Sequence, residues 1–132
     1  MAAAVLRIYD EVPGQKRAER VALRLASYRI SLRDLIRRRV EDEVAAFNKS
    51  GTEIYRGLVQ PTASEQVLNG FKVKKGHTVD VEEQVDVALQ AFARNGFVVL
   101  FDDRQLETLD DELVLTGNNT VTFLKLVPLV GG

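Results

Sequence analysis

The last two residues, Gly131 and Gly132, are where this 132-residue chain could do chemistry. Neither carries a Cβ, so a narrow channel can close on their backbone and the terminal carbonyl can be approached from either face. A carboxylate becomes an electrophile once one oxygen is turned into a leaving group, as adenylation by ATP does, and a nucleophile then takes the acyl group. No other group in the chain could supply that activation, so the terminus reads as the substrate of a separate enzyme, and the chain as no enzyme itself.

The remaining reactive side chains have plainer readings. There is no cysteine, which excludes disulfides, thiolate metal sites, a cysteine nucleophile and a cysteinyl thioester of the chain's own. His77 is the only histidine; it stands in a loop beside Gly76 with no partner to complete a metal site, and reads as solvated. Asp102-Asp103 and Asp110-Asp111 are paired carboxylates of the kind that serves acid–base work or holds Mg²⁺. Each pair, however, stands where a turn or helix start calls for aspartate. Arg37-Arg38-Arg39 and Lys72, Lys74 and Lys75 make two basic patches. The arginines precede Glu41, Asp42 and Glu43 at the spacing of helix-surface ion pairs, which reads as a solvated face. Phe47, Phe92, Phe97, Phe101 and Phe123 fall on predicted core faces, leaving no platform on which bases could stack.

Eighteen Lys+Arg balance 19 Asp+Glu for a formal charge of -1, so nothing draws the chain to nucleic acid or an anionic membrane. No segment approaches ~18 uncharged apolar residues, and the stretch from Met1 to Ile8 is broken by Arg7 and lacks a basic leader. The expectation is a soluble, cytoplasmic protein of one domain spanning 1–132, with no metal or bound cofactor.

The elements that must position the terminus follow from periodicity. An apolar stretch from Ala4 to Tyr9 ends at Asp10 and the turn-forming Pro13-Gly14, as the first strand of a hairpin does. Val21, Leu23 and Leu25 alternate with Ala22, Arg24 and Ala26, which predicts a second strand with three branched side chains on one buried face. Ser31 opens a capping box with Asp34 in the usual place of Glu. Leu32, Leu35, Ile36, Val40, Val44 and Phe47 then give an amphipathic helix that closes between Asn48 and Gly51. Thr52 to Gly76 shows no sustained period and reads as loop, with a short strand at Phe71 to Lys74. Asp80 caps a second helix, with Glu83 at its third position and an apolar stripe of Val81, Val85, Ala88, Leu89 and Phe92 that ends at Asn95-Gly96. Phe97 to Phe101 suits a strand buried on both faces. Asp102-Asp103 turns into Gln105-Leu106, and a turn or helical segment occupies Thr108 to Leu113. A last strand follows Gly117-Asn118-Asn119, with Val121, Phe123 and Lys125 on one side, and stays central until Val127. Pro128 ends its pairing. This is an α+β layer of helix on mixed sheet, with 48–96 as an insertion carrying a helix at 80–94 and 128–132 as a flexible tail. Five extended residues reach ~17 Å beyond a core.

Phe101-Asp102-Asp103-Arg104-Gln105-Leu106-Glu107, then Thr108-Leu109-Asp110-Asp111 and the stretch Thr120 to Gly132, resemble the C-terminal half of ubiquitin. The ending is also similar to the molybdopterin and thiamine sulfur carriers, with a Phe-containing strand, a proline and a diglycine. Ala4 to Phe47 matches the family's element order, while Lys49 to Asn95 is unmatched. The resemblance implies a ubiquitin-like β-grasp fold and a function as modifier. In that reading Gly132 is adenylated by an E1-like activating enzyme, passed to an E2-like conjugating enzyme and joined to a target protein, with ATP used by the partner. Gly131 gives steric access, and Val127, Pro128, Leu129 and Val130 form the recognition tail. That tail is wholly apolar where ubiquitin-type tails carry arginines, which implies an activating enzyme with an apolar groove. Two alternatives stay open: a sulfur carrier with a C-terminal thiocarboxylate, and a non-covalent module that self-associates through its tail. Lys16, Lys49 and Lys125 could each accept another copy's C-terminus, with no preference among them.

Overall fold

The computed structural model describes residues 3–126. Its elements run β1 (Ala4–Glu11), β2 (Ala18–Glu19), β3 (Leu23–Leu25), β4 (Arg29–Ser31), α1 (Leu32–Ser50), β5 (Ile54–Tyr55), β6 (Ser64–Val67), β7 (Gly70–Val73), α2 (Val81–Ala93), β8 (Phe97–Phe101), β9 (Arg104–Leu106), β10 (Glu112–Val114) and β11 (Thr120–Lys125). The class is α+β, with a mixed sheet and two helices. The described residues divide into two compact units: one holds the chain up to Leu35 and from Phe92 onward, the other Ile36–Ala91.

In the first unit a six-stranded sheet has the order β2-β1-β11-β8-β9, with β3 also on β1. β1 and β11 run parallel, Arg7 opposite Thr120 and Glu11 opposite Leu124, and every other pairing in this sheet is antiparallel. Alternation along β1 buries Ala4, Leu6, Ile8 and Asp10, and Leu23, Leu25, Phe97, Val99, Phe101, Leu106, Val121 and Phe123 are buried on the neighbouring strands. The rings of Phe92, Phe97 and Phe123 follow one another at centroid spacings of 5.9 and 6.0 Å. Phe92 itself is only half-buried, and Val98 and Leu100 are half-buried too, so β8 has one dry face where the sequence predicts two.

The returning arm of the first hairpin departs from the expected strand. Arg20 N–H donates to Ile8 O, whereas Leu23 pairs with Leu6: three steps on the return arm answer two on β1. One extra residue is a β-bulge, and a one-residue shift sends a side chain to the opposite face. Val21 therefore stands 88% exposed instead of sharing the buried face with Leu23 and Leu25.

Helix α1 starts as its cap predicts. Asp34 N–H donates to Ser31 Oγ at 3.1 Å, while Leu32 and Arg33 N–H donate to the Asp111 and Leu109 carbonyls at 2.8 and 2.9 Å. Three donors that a helix start leaves open are thereby satisfied. Of the segment Thr108 to Leu113 expected as turn or helix, Thr108 to Asp111 is a turn that supplies those carbonyls, whereas Glu112 and Leu113 begin β10, which pairs with β4.

In the second unit the short strand expected at Phe71 to Lys74 is β7, while the rest of Thr52 to Gly76, expected as loop, holds two further strands, β5 and β6. Three short antiparallel strands form a sheet of order β5-β7-β6. Phe71 and Val73 alternate with Lys72 in β7, whereas β5 and β6 are too short or too polar to carry a period of two. Asp80 caps α2 as expected, accepting from Glu83 N–H at 2.9 Å.

Candidate functional site

Gly131 and Gly132, and the tail residues Val127, Pro128, Leu129 and Val130, lie outside the described residues. What the structure gives is the base from which they continue. β11 is flanked by β1 on one side and β8 on the other, with Lys125 still opposite Phe97. Leu126 N–H donates to Gly96 O at 3.1 Å. Beside this end, the buried carboxylate of Asp10 meets Lys125 at 3.7 Å and Arg20 at 3.6 Å. A buried carboxylate needs such partners, and here they tie β1 to β11 and to the return arm of the first hairpin. The last described residue is thus held to within one hydrogen bond of a two-sided strand, a fixed origin for whatever follows.

The two aspartate pairs serve turns. Asp102 and Asp103 have φ of 47° and 69° and form the two-residue connection between Phe101 and Arg104, the left-handed geometry of a tight hairpin that aspartate tolerates. The Asp102 carboxylate accepts from Thr120 N–H at 2.9 Å and from the Asn119 amide, and Asn119 Oδ1 accepts from Thr116 N–H. Asp111 accepts from the N–H groups of Thr108 and Glu107 and from the Thr108 hydroxyl at 2.9–3.1 Å. The backbone N–H of Thr108, then its hydroxyl and the Glu107 N–H, hold the Asp111 carboxyl below its ordinary value. The Asp102 and Asp111 carboxylates are occupied in shaping backbone. His77 is exposed, and among the described residues no group of three or more His, Cys, Asp or Glu could hold a metal.

The arginine run makes the ion pairs its spacing predicts, Arg37 to Glu41, Arg38 to Asp42 and Arg39 to Glu43. One of the three does not belong to a solvated face. Arg39 is 3% exposed and meets Glu43 at 3.2 Å through both Nε and Nη2. The Glu43 carboxylate also accepts from Leu58 N–H at 3.1 Å, and buried Gln84 donates to Val59 O at 2.8 Å. With them sits Tyr55, 1% exposed, its ring packed edge-on against Phe47 at 5.5 Å. The Tyr55 hydroxyl has no hydrogen-bond partner among the described residues. Burial first, then the Glu43 charge, raise its phenol well above the ordinary value, against smaller pulls from the Gln84 amide, which is near the hydroxyl but donates to Val59 O, and from the Arg39 charge. The signal was present in the sequence: Arg39 and Glu43 fall three and four residues from Ile36, Val40 and Phe47, on the apolar stripe itself.

Gln84 also closes one side of an open cleft of about 320 Å³ in the same unit, lined by Thr62, Lys74, His77, Asp80 and Glu83 among others. Both acids there are engaged, Glu83 with the Thr62 hydroxyl and Asp80 with the first turn of α2. Among the described residues no helix is long and apolar enough to cross a membrane. Compared with protein-family models, with curated proteins and with solved structures, the chain gives no match.

Proposed function

We propose that this chain is a ubiquitin-like modifier on a β-grasp domain, with Gly132 as the residue that becomes bonded to a target. The observation that carries the reading is the strand order β2-β1-β11-β8-β9. The first and last strands run parallel at its centre, a hairpin and helix come first, and residues 127–132 continue from the central strand. That order supports the fold that the resemblance to ubiquitin implies.

The chemistry is acyl activation on a partner. The Gly132 carboxylate attacks the α-phosphorus of ATP on an E1-like enzyme and pyrophosphate leaves. An enzyme thiolate then attacks the carbonyl and displaces AMP. The acyl group passes to an E2-like enzyme and from there to an amine or hydroxyl of the target. Gly131 leaves the backbone accessible, and the apolar run Val127, Pro128, Leu129, Val130 is what an activating enzyme reads.

Deletion of Gly132 or Gly132→Ala in cells that carry the pathway abolishes conjugates on this account. A conjugate pattern unchanged in both variants overturns it. If activation instead leaves the free protein heavier by the exchange of one oxygen for sulfur, the acyl group ends as a thiocarboxylate and the chain is a sulfur carrier.

A further inference from the structure

We propose that the first unit carries two complementary sheet edges through which copies of this chain associate head to tail, the edge of β2 and β3 on one molecule meeting the edge of β9 on the next. The inference is independent of the terminal chemistry.

β1 has β11 on one side, so β2 and β3 lie together along its other side, and neither pairs with any further strand among the described residues. At the opposite end β9 pairs, among the described residues, only with β8. An unpaired strand presents a row of N–H and C=O groups and is a template for another chain unless something discourages it. Here the discouragement has a sign. From Lys16 to Arg24 the first edge carries four bases against one acid, Glu19; Arg7 takes that acid at 3.2 Å and Asp10 takes Arg20 at 3.6 Å, which leaves Lys16, Arg17 and Arg24. β9 itself carries one base, Arg104, and no acid; the acids of the second edge flank it, Asp102 and Asp103 in the turn before it and Glu107 after it. Glu112 belongs to β10, paired to β4, and Arg29 takes it at 2.7 Å, so three acids stand against Arg104 along β9. Lys16, Arg24, Gln105 and Glu107 are all exposed.

Four strand spacings separate the edges, about 19 Å, against a screening length of about 10 Å at 0.1 M salt. Each edge therefore keeps its own sign. Like edges repel and unlike edges attract, so the arrangement selects a heterologous contact, which propagates into longer chains instead of closing as a dimer. The bulge adds an apolar contact at the middle of the basic edge, where Val21 stands out into solvent.

The test is sedimentation of the full chain over a concentration series at low and high salt. Wild type forms a ladder of species beyond the dimer at low salt, and the ladder is lost near 1 M, where screening falls to about 3 Å. Lys16→Glu with Arg24→Glu, and separately Gln105→Lys with Glu107→Lys, each remove the ladder while the far-UV circular dichroism and melting midpoint stay those of wild type. An equimolar mixture of the two double variants associates again, because one keeps the acidic edge and the other the basic one. Wild type that remains monomeric at low salt, a dimer that survives both double variants, association indifferent to salt, or a mixture that stays monomeric overturns the proposal.

Discussion

Replacing Tyr55 with phenylalanine should stabilise this protein, the reverse of the usual outcome for a core substitution. The hydroxyl lies in a side chain 1% exposed and has no partner among the described residues. Leaving a buried hydroxyl unsatisfied costs about 1–3 kcal/mol. Removing the oxygen forfeits a few contacts at about 0.1–0.2 kcal/mol each, and the ring keeps its packing on Phe47. The net gain is about 1–2 kcal/mol, which at the scale of this chain raises the melting midpoint by roughly 4–8 °C. Urea titration followed by far-UV circular dichroism is the assay: the midpoint rises and the slope stays the same. A second reading comes from pH. The Tyr55 phenol is raised above 10.0 in the folded chain, so the folded state holds a proton that the unfolded state releases. Its contribution to stability is fully present below about pH 10 and is lost as pH climbs through the higher folded value. Wild type therefore loses stability faster than Tyr55→Phe above about pH 10. A variant that melts lower than wild type at neutral pH means the hydroxyl is bonded in solution, and the reasoning fails.

Gly57→Ala should cost about 1–3 kcal/mol by overpacking, because an added Cβ would come within 2.4 Å of the Tyr55 ring, itself fixed in the core; calorimetry showing no loss would contradict that geometry. Ser31→Ala removes the acceptor for Asp34 N–H and should lower stability by about 1 kcal/mol, read as a drop in urea midpoint, with Ser31→Asp restoring it. Asp111→Ala should destabilise most at neutral pH. The folded carboxyl is lowered, so its contribution is present above the ordinary carboxylate range of about 4 and disappears as pH falls through the lower folded value. Melting curves of the two proteins should converge on acidification, and a gap independent of pH would remove the carboxylate from the explanation.

What the sequence revealed and what it hid have separate physical causes. The caps at Ser31 and Asp80, the helical stripes and the turns at Asp102-Asp103 and Thr108 to Asp111 are local, each decided within four or five residues, and each was legible. Val21 was not, because the bulge that exposes it is a mismatch between two strands and leaves no mark on either alone. Of the three-stranded sheet between Ile54 and Val73, the strand at Phe71 to Val73 was legible, while β5 and β6 escaped because they run to two and four residues and alternate no polarity. Arg39 escaped for another reason: charge led, although its place on the apolar stripe pointed inward. Of the site, the strand that leads to the diglycine could be read from Thr120 to Lys125, but its parallel pairing with β1 joins residues more than a hundred positions apart, which no local pattern encodes.

The central claim is that the C-terminal carboxylate is activated by a partner enzyme. Purified wild-type and Gly132-deleted proteins, incubated with ATP and the candidate activating enzymes encoded beside the gene, test it most directly by mass spectrometry and thiol-sensitive gel shift. The account predicts an ATP-dependent, thiol-sensitive adduct with wild type alone. An adduct formed equally by the deleted form, or none with any of those enzymes, would contradict it.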